Sequence, residues 1–261
     1  MLTRGWHNGA RPRYGGDRVR VHMRVSVIIP THNEAQAIAR VLADLPADLI
    51  TEVIVVDSNS NDGTLEIAAR MGTRLIQEPR RGYGRACMTG LAAANSPDIV
   101  VFLDGDYSDR PSELPILLDP IIQGDADITL GSRLGRQRIP AALPWHQAFG
   151  NRLAAGLIRL LYGLKITDLG PFRAGRADLL RALALKETTY GWAVEMILKG
   201  ARSGLRVVEV PVTYYPRIGK SKISGTLKGT VGAGWFILSL MVRYYFWTPA
   251  GGNPTVRATE R

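Results

Sequence analysis

Apolar residues fall in short runs that end on polar turns, and between those runs they recur at helical spacing. Arg24-Val25-Ser26-Val27-Ile28-Ile29-Pro30 is a β-rich run that proline stops. Thr31-His32-Asn33-Glu34 follows, with Thr31 or Asn33 suited to cap a helix, and Ile38, Val41, Leu42 and Leu45 then lie on one helical face. The next unit repeats the plan: a strand at Val53-Ile54-Val55-Val56, a polar turn from Asp57 to Gly63, and a helix from Thr64 to Met71. A third strand around Thr73 to Gln77 leads into the segment from Arg80 to Ala94. A strand ending at Asp104, a helix from about Ser112 to Gln123 and a strand from Ala126 to Leu130 complete the first half. Strands alternating with helices predict parallel strands joined by right-handed crossovers.

In such a sheet, ligands gather beyond the carboxyl ends of the strands. Three successive ends here carry Pro30-Thr31-His32-Asn33-Glu34, Asp57, and the pair Asp104 and Asp106. The run Val100-Val101-Phe102-Leu103 cannot hold bare carboxylates in its interior, because unpaired buried charge is very costly. At the strand tip the two acids can share a hard divalent cation with phosphate oxygens. The alternative for Asp104-Gly105-Asp106 alone is a solvated turn.

Composition narrows the classes. The chain has 261 residues, 46% hydrophobic and 21% charged, enough to bury a substantial core. A formal net charge of +10 favours anionic partners: a phosphate-bearing substrate, an acidic membrane surface or nucleic acid. No nucleic-acid reading motif or regular basic-aromatic pattern supports the last. The single cysteine, Cys87, excludes an internal disulfide framework. No Cys/His cluster has zinc spacing. From Asp104 onward a calcium loop fails, because Asp109 stands where glycine is required and Pro115 where glutamate is. Residues 1–22 read as a disordered basic leader without the apolar core of a secretory signal.

Ser26 to Glu34 (SVIIPTHNE), Val55 to Thr64 (VVDSNSNDGT), Phe102 to Asp106 (FLDGD) and Gly131-Ser132-Arg133 together resemble the family-2 inverting glycosyltransferases of the GT-A fold. Asp168 to Ala174 (DLGPFRA), Tyr190 to Glu195 (YGWAVE) and Val208 to Ser224 look like the branch of polyprenyl- and dolichyl-phosphate hexosyltransferases. The resemblance implies an α/β GT-A domain over residues 23–224, with a mixed sheet flanked by helices. It implies that Pro30, Thr31, Asn33, Glu34, Asp57 and Asp62 hold the nucleoside, with Asp57 meeting a uracil or guanine base. Asp104 and Gly105 would lie by the ribose and diphosphate, and Asp106 with Asp104 would bind Mg²⁺ or Mn²⁺. A glutamine that often follows the second Asp by two is Ser108 here, which places more of the metal on Asp106.

Four further stretches carry candidate chemistry. Gly82, Gly84 and Arg85 open a predicted helix whose N–H groups suit phosphate or sugar; the superficial dinucleotide fingerprint there does not directly follow the first strand. Arg133 follows a strand end and suits an acceptor or phosphate contact. Asp168, in a turn-rich segment, or Glu195, on a helix with Trp192, Met196 and Lys199, is the candidate general base if the acceptor is a hydroxyl. Arg217, Lys220 and Lys222, after a strand from Val207 to Tyr214, form a basic loop able to close over a diphosphate.

Gly229 to Trp247 is the most apolar stretch, with aromatic residues crowding one end. Residues 225–247 are expected to form an amphipathic helix on a membrane or against a second copy, before a polar tail over 248–261. The combined expectation is metal-dependent hexosyl transfer from a UDP- or GDP-sugar to polyprenyl phosphate, at the cytosolic face of the membrane. The alternatives are transfer to a small soluble hydroxyl acceptor and a non-catalytic nucleotide-sugar-binding protein.

Overall fold

The computed structural model describes residues 23–134, 145–219 and 227–249; for 145–149 and 227–233 it describes the backbone alone. Strands β1 (Val25–Thr31), β2 (Glu52–Asp57), β3 (Arg74–Gln77), β4 (Ile99–Phe102), β5 (Ile128–Ser132), β6 (Arg173–Arg176) and β7 (Val207–Pro211) form one seven-stranded sheet in the order β3-β2-β1-β4-β6-β5-β7. β1, β2, β3 and β4 are mutually parallel, so the three strand ends read from the sequence do open on one edge. The sheet is not wholly parallel. β6 runs antiparallel between β4 and β5, directly after the turn-rich segment that carries Asp168, which gives the mixed sheet expected.

Side chains alternate between two cores, as strands covered on both faces require. Ile28, Val100 and Phe102 face one, with residues of α3 (Tyr83–Ala93), α5 (Trp145–Tyr162), α6 (Ala177–Ala182), α7 (Gly191–Arg202) and α8 (Leu227–Tyr245). Val27, Ile29, Ile99 and Val101 face the other, against α1 (Ile38–Ala43), α2 (Thr64–Arg70) and α4 (Leu114–Ile122). Two local expectations are corrected. Pro30 does not stop β1, which pairs through Pro30 and Thr31 with Val56 and Asp57. Nor does Thr31 or Asn33 cap α1: the N-cap is Ala37, because the intervening residues form a longer loop tied to β2.

Helix α8 docks through polar contacts as well as packing. Tyr244 donates to Glu195 Oε1 at 2.7 Å, and Lys199 Nζ lies 2.8 Å from the same oxygen. The backbone amides of Lys186 and Glu187 also donate to the Glu195 carboxylate. Glu195 is fully buried, and its oxygens are occupied by these donors. It is therefore a structural carboxylate holding α7, α8 and the 186–187 turn together, which corrects its candidacy as general base. Burial alone would raise its pKa, but the donors from Lys199, Glu187, Tyr244 and Lys186 outweigh burial and hold it below its ordinary value.

Breaking a buried pair strands the remaining charge, so Glu195→Ala is expected to cost about 3–5 kcal/mol in thermal or denaturant unfolding. Because the folded pKa is depressed, the wild-type contribution is present above the unfolded value of 4.5 and is lost as pH falls through the folded value. The difference between wild type and variant should therefore shrink on acidification.

Candidate active site

The site is built on the C-terminal end of β4. Leu103 is buried and Asp104 follows it directly, with carboxyl oxygen Oδ1 buried and without a hydrogen-bond partner. Burial above all, and then the charge of Asp106, push the Asp104 carboxyl up to about 7, despite a hydrogen bond from Tyr83 and the charge of Arg217. Gly105 lets the first strand end come close: a Cβ there would meet Thr31 Cγ2 at 3.0 Å. Asp106 is oriented by Ser108, whose backbone N and Oγ donate to Oδ1 at 2.9 and 2.6 Å. The serine thus fixes the carboxylate rather than adding a third carboxylate or amide ligand.

The segment 214–218 runs back over this pair. Tyr215 N donates to Ser108 O, Ile218 N donates to Asp106 O, and Asp109 bridges antiparallel to Tyr214. This brings Arg217 to 3.4 Å from Asp106 Oδ2 and 3.2 Å from Glu34 Oε1. Arg217 therefore stands at the acidic pair, whereas Lys220 and Lys222, the other cations of the basic loop, lie outside the described residues. Asn33, Asn59 and Tyr107 have φ of 54°, 58° and 59°, one in the loop after each of β1, β2 and β4. Non-glycine residues adopt this conformation at a cost, and such strain concentrates at functional sites.

The β1 and β2 ends are stitched to each other. Asp57 accepts from Thr31 Oγ1 and from the N and Oγ of Ser60. Asn33 joins Ser60 and Asn61, and Asp62 accepts from Thr64 and the Ala35 amide. Asp62 is thereby a loop-fixing residue at the start of α2. Pro30 is half-buried within β1 and offers only its position.

At the β5 end, Arg133 and Asp168 form a bidentate pair with both contacts at 2.7 Å. Asp168 also accepts from the amides of Arg133 and Leu169 and from Asn151 Nδ2, and it is fully buried. Burial would raise its pKa, but Arg133 holds the carboxyl below the usual range. A depressed, saturated carboxylate is a poor proton acceptor, so Asp168 orients Arg133 and is not placed as a general base. Arg133 also lies over the Tyr214 ring, 5.1 Å from its centroid.

The glycine-rich helix start is corrected too. The amides of Gly84 and Arg85 donate to the carbonyls of Thr189 and Thr188, so they are not free for phosphate. A Cβ on Gly82 would meet Thr188 O at 2.2 Å, and one on Gly84 would meet Trp192 Cβ at 2.4 Å. These glycines permit close packing, and the backbone of Gly82 has φ of 147°. What the segment contributes to the site is Tyr83, pressed against Asp104, and Arg85, whose Nε is buried without a hydrogen-bond partner. Tyr83, Tyr214 and Asp109 are the residues the sequence reading missed. All three lie in motifs already singled out, but no spacing says which side chains turn inward.

The acidic pair fits a divalent cation. Two carboxyls repel each other in a buried place, and one oxygen lacks any donor. Among the described residues no three His, Cys, Asp or Glu side chains converge to hold a metal, so the protein side of such a site would be the pair itself.

Comparison with known proteins agrees with this geometry. The family model described as "Glycosyl transferase family 2" matches residues 26–184. An uncharacterized glycosyltransferase of Mycobacterium tuberculosis is 38% identical over 210 residues, covering 79% of this chain and 93% of that protein. An undecaprenyl-phosphate mannosyltransferase of Micrococcus luteus is 36% identical over 229 residues, 79% and 90% of the two chains. A dolichyl-phosphate hexose transferase of Haloferax volcanii is 36% identical over 204 residues, 76% and 86%. The crystal structure of glucosyl-3-phosphoglycerate synthase from Mycobacterium tuberculosis, in complex with Mn²⁺, UDP-glucose and phosphoglyceric acid, has a TM-score of 0.71 at 22% identity. That alignment covers 95% of this chain and 88% of the synthase, and it shows that the two share the GT-A fold.

The raised Asp104 value has a thermodynamic sign. Its folded pKa of about 7 exceeds the unfolded 3.8, so the ionised form is disfavoured by folding and stability falls as pH rises between the two values. Asp104→Asn should therefore raise the melting temperature at pH 8, with the gain vanishing toward pH 4. Melting scans without divalent cations would check this; a pH-independent difference would contradict the raised value.

Proposed function

The chain belongs to glycosyl transferase family 2, and on that footing we propose that it transfers a hexose, with inversion, from a UDP- or GDP-sugar to a polyprenyl phosphate. The observation that carries the proposal is the pair of half-buried Asp104 and buried Asp106, the latter in contact with Arg217, in a chain that aligns over most of its length with transferases named for undecaprenyl and dolichyl phosphate. Breaking a glycosidic bond to a nucleoside diphosphate leaves developing negative charge on the leaving group. Asp106 and Asp104 would hold Mg²⁺ or Mn²⁺, which when bound supplies Lewis-acid stabilisation of that charge. Arg217 sits where it can leave Asp106 and Glu34 and turn to the diphosphate, with Arg85 at the α3 side. Asp57, Thr31 and Asn33 form the nucleoside end.

Arg133, aimed by Asp168, would meet the acceptor phosphate. A phosphate is already an anionic nucleophile and needs no base, which matches the commitment of both Asp168 and Glu195 to other partners. Activity with lipid-free hydroxyl acceptors would favour the soluble-acceptor alternative instead.

The surface supports contact with a membrane. Among the described residues no helix is long and apolar enough to cross one. Helix α8 carries two apolar stripes: Leu240, Met241 and Tyr244 are buried against the domain, while Trp235, Leu238, Val242 and Tyr245 are exposed, followed by Phe246 just beyond the helix. Leu153, Leu160 and Leu161 of α5 extend the exposed patch, and Tyr162 joins the two helices through Met241 O. Arg152, Arg159, Arg202 and Arg243 are exposed on these helices and on α7, a composition suited to an anionic bilayer surface at its cytosolic face.

The test is a screen of UDP- and GDP-hexoses with Mg²⁺ or Mn²⁺, with and without a short polyprenyl phosphate. Lipid-dependent product is expected, and Asp106→Ala should lower turnover by about 10²-fold or more. An unchanged rate in that variant would sink the mechanism. Asp168→Asn should lower kcat/KM for the lipid acceptor by about tenfold or more by releasing Arg133, while leaving nucleotide affinity unchanged. Replacing Trp235 and Phe246 by serine should weaken sedimentation with anionic vesicles without altering the melting temperature, since both side chains are exposed.

A further inference from the structure

Asp109 is the group that the proposed mechanism leaves without a task. Its side chain is 2% exposed, and neither carboxyl oxygen has a hydrogen-bond partner among the described residues. Buried polar groups in native proteins are nearly always paired, so a carboxyl with both oxygens bare calls for an explanation. Its backbone is fixed by the antiparallel bridge to Tyr214. The charges that act on it are Asp104 and Asp106 from the β4 end and Arg133 and Asp168 from the β5 end. Three residues after Asp106 and bridged to Tyr214, over whose ring Arg133 lies, it stands between the nucleotide half of the site and the acceptor half. Burial above all, and then Asp104, raise its pKa well above the ordinary value.

The chemistry of the ligand follows by comparison. Asp109 is not placed as a third ligand for a cation, since no three such side chains converge among the described residues. A phosphate is better met by the guanidinium groups of Arg133 and Arg217. A general base is unnecessary for a phosphate acceptor. Neutral or ionised, however, two bare carboxyl oxygens can pair with hydroxyl groups. The portion of a nucleotide-hexose that lies between the diphosphate and the acceptor, and that is rich in hydroxyls, is the sugar.

We propose that Asp109 reads the transferred hexose, its two unpartnered oxygens taking sugar hydroxyls between the acidic pair and Arg133. This rests on the nucleotide-hexose reading above and adds the residue that selects among hexoses. A site built to hydrogen-bond a hydroxyl rejects an analogue that lacks it or turns it away, because the buried group is then left unpaired. A carboxyl left bare in this way is a cost in stability retained for recognition.

The proposal can be tested by calorimetric titration of wild type, Asp109→Asn and Asp109→Ala, each with Mn²⁺. The probes are UDP, UDP-glucose and UDP-galactose, and in parallel GDP, GDP-mannose and GDP-glucose. For the wild type, one hexose should add affinity beyond its bare nucleotide and bind more tightly than its epimer. In Asp109→Ala that added affinity should fall by about tenfold or more, with the epimer preference lost and affinity for the bare nucleotide unchanged. Both variants should melt at or above the wild-type temperature, whereas a residue with a merely structural role would destabilise on replacement. Wild-type hexose discrimination that persists in both variants would overturn the role of Asp109 alone. A parallel loss of bare-nucleotide affinity would also overturn it, by reassigning the residue to support of the acidic pair. A wild type that binds no nucleotide-hexose would overturn the donor reading itself, and this inference with it.

Discussion

The repulsion between two carboxyls at the buried end of one strand is the constraint around which this molecule is arranged. Asp104 cannot leave the sheet edge, because β4 is central and its apolar residues are fully committed to the two cores. Asp106 is fixed by Ser108 and by the segment that crosses above it. Neither acid can relax into solvent, so positive charge must come to them. Part of that charge is Arg217, held jointly by Asp106 and Glu34. Its guanidinium is shared between two acids across a gap of more than 3 Å, a contact that a ligand with stronger negative charge can compete for. Under the proposed function, a cation held by Asp104 and Asp106 would relieve the same repulsion.

The second half of the site follows a different logic. Arg133 and Asp168 satisfy each other, and Glu209 on β7 in turn accepts from the amides of Thr167 and Asp168. Arg173 donates to the carbonyls of Leu169 and Gly170, so the turn before β6 is held from both sides. This is a rigid support rather than a poised acid-base device. It suits a reaction in which the acceptor arrives already charged and needs placing more than activating.

A continuous packed route joins the surface helices to the acidic pair. Phe236 and Leu240 of α8 press on Gly191, where a Cβ would meet Phe236 at 2.6 Å. Trp192, the next residue, stacks edge-on against both Tyr83 and Phe102, and Tyr83 faces Asp104. The glycines along this route are what allow three layers to approach so closely. The exposed apolar stripe of α8 and the donor site are thus parts of one packed body, although α8 is the last described helix of the chain.

The sequence by itself determined the alternation of strand and helix, the three strand ends and the acids they carry. These follow from local periodicity and from the cost of burying bare charge, which act over a few residues. It also singled out Arg133, Asp168 and Arg217 as candidates. Only the tertiary structure decided what each does. Glu195 became a structural carboxylate because α8 and Lys199 close around it, contacts about fifty residues apart or one helical turn away that no motif encodes. The amides of Gly84 and Arg85 went to Thr188 and Thr189, and β6 entered the sheet antiparallel, because distant backbone competed for the same partners. Asp109, which read as nothing more than a misfit in a calcium loop, is a buried carboxyl with neither oxygen paired among the described residues, beside the backbone bridge to Tyr214. Periodicity fixes which face a residue takes within its own element; whether its polar atoms find partners depends on chain far away, and that is settled only when the layers pack.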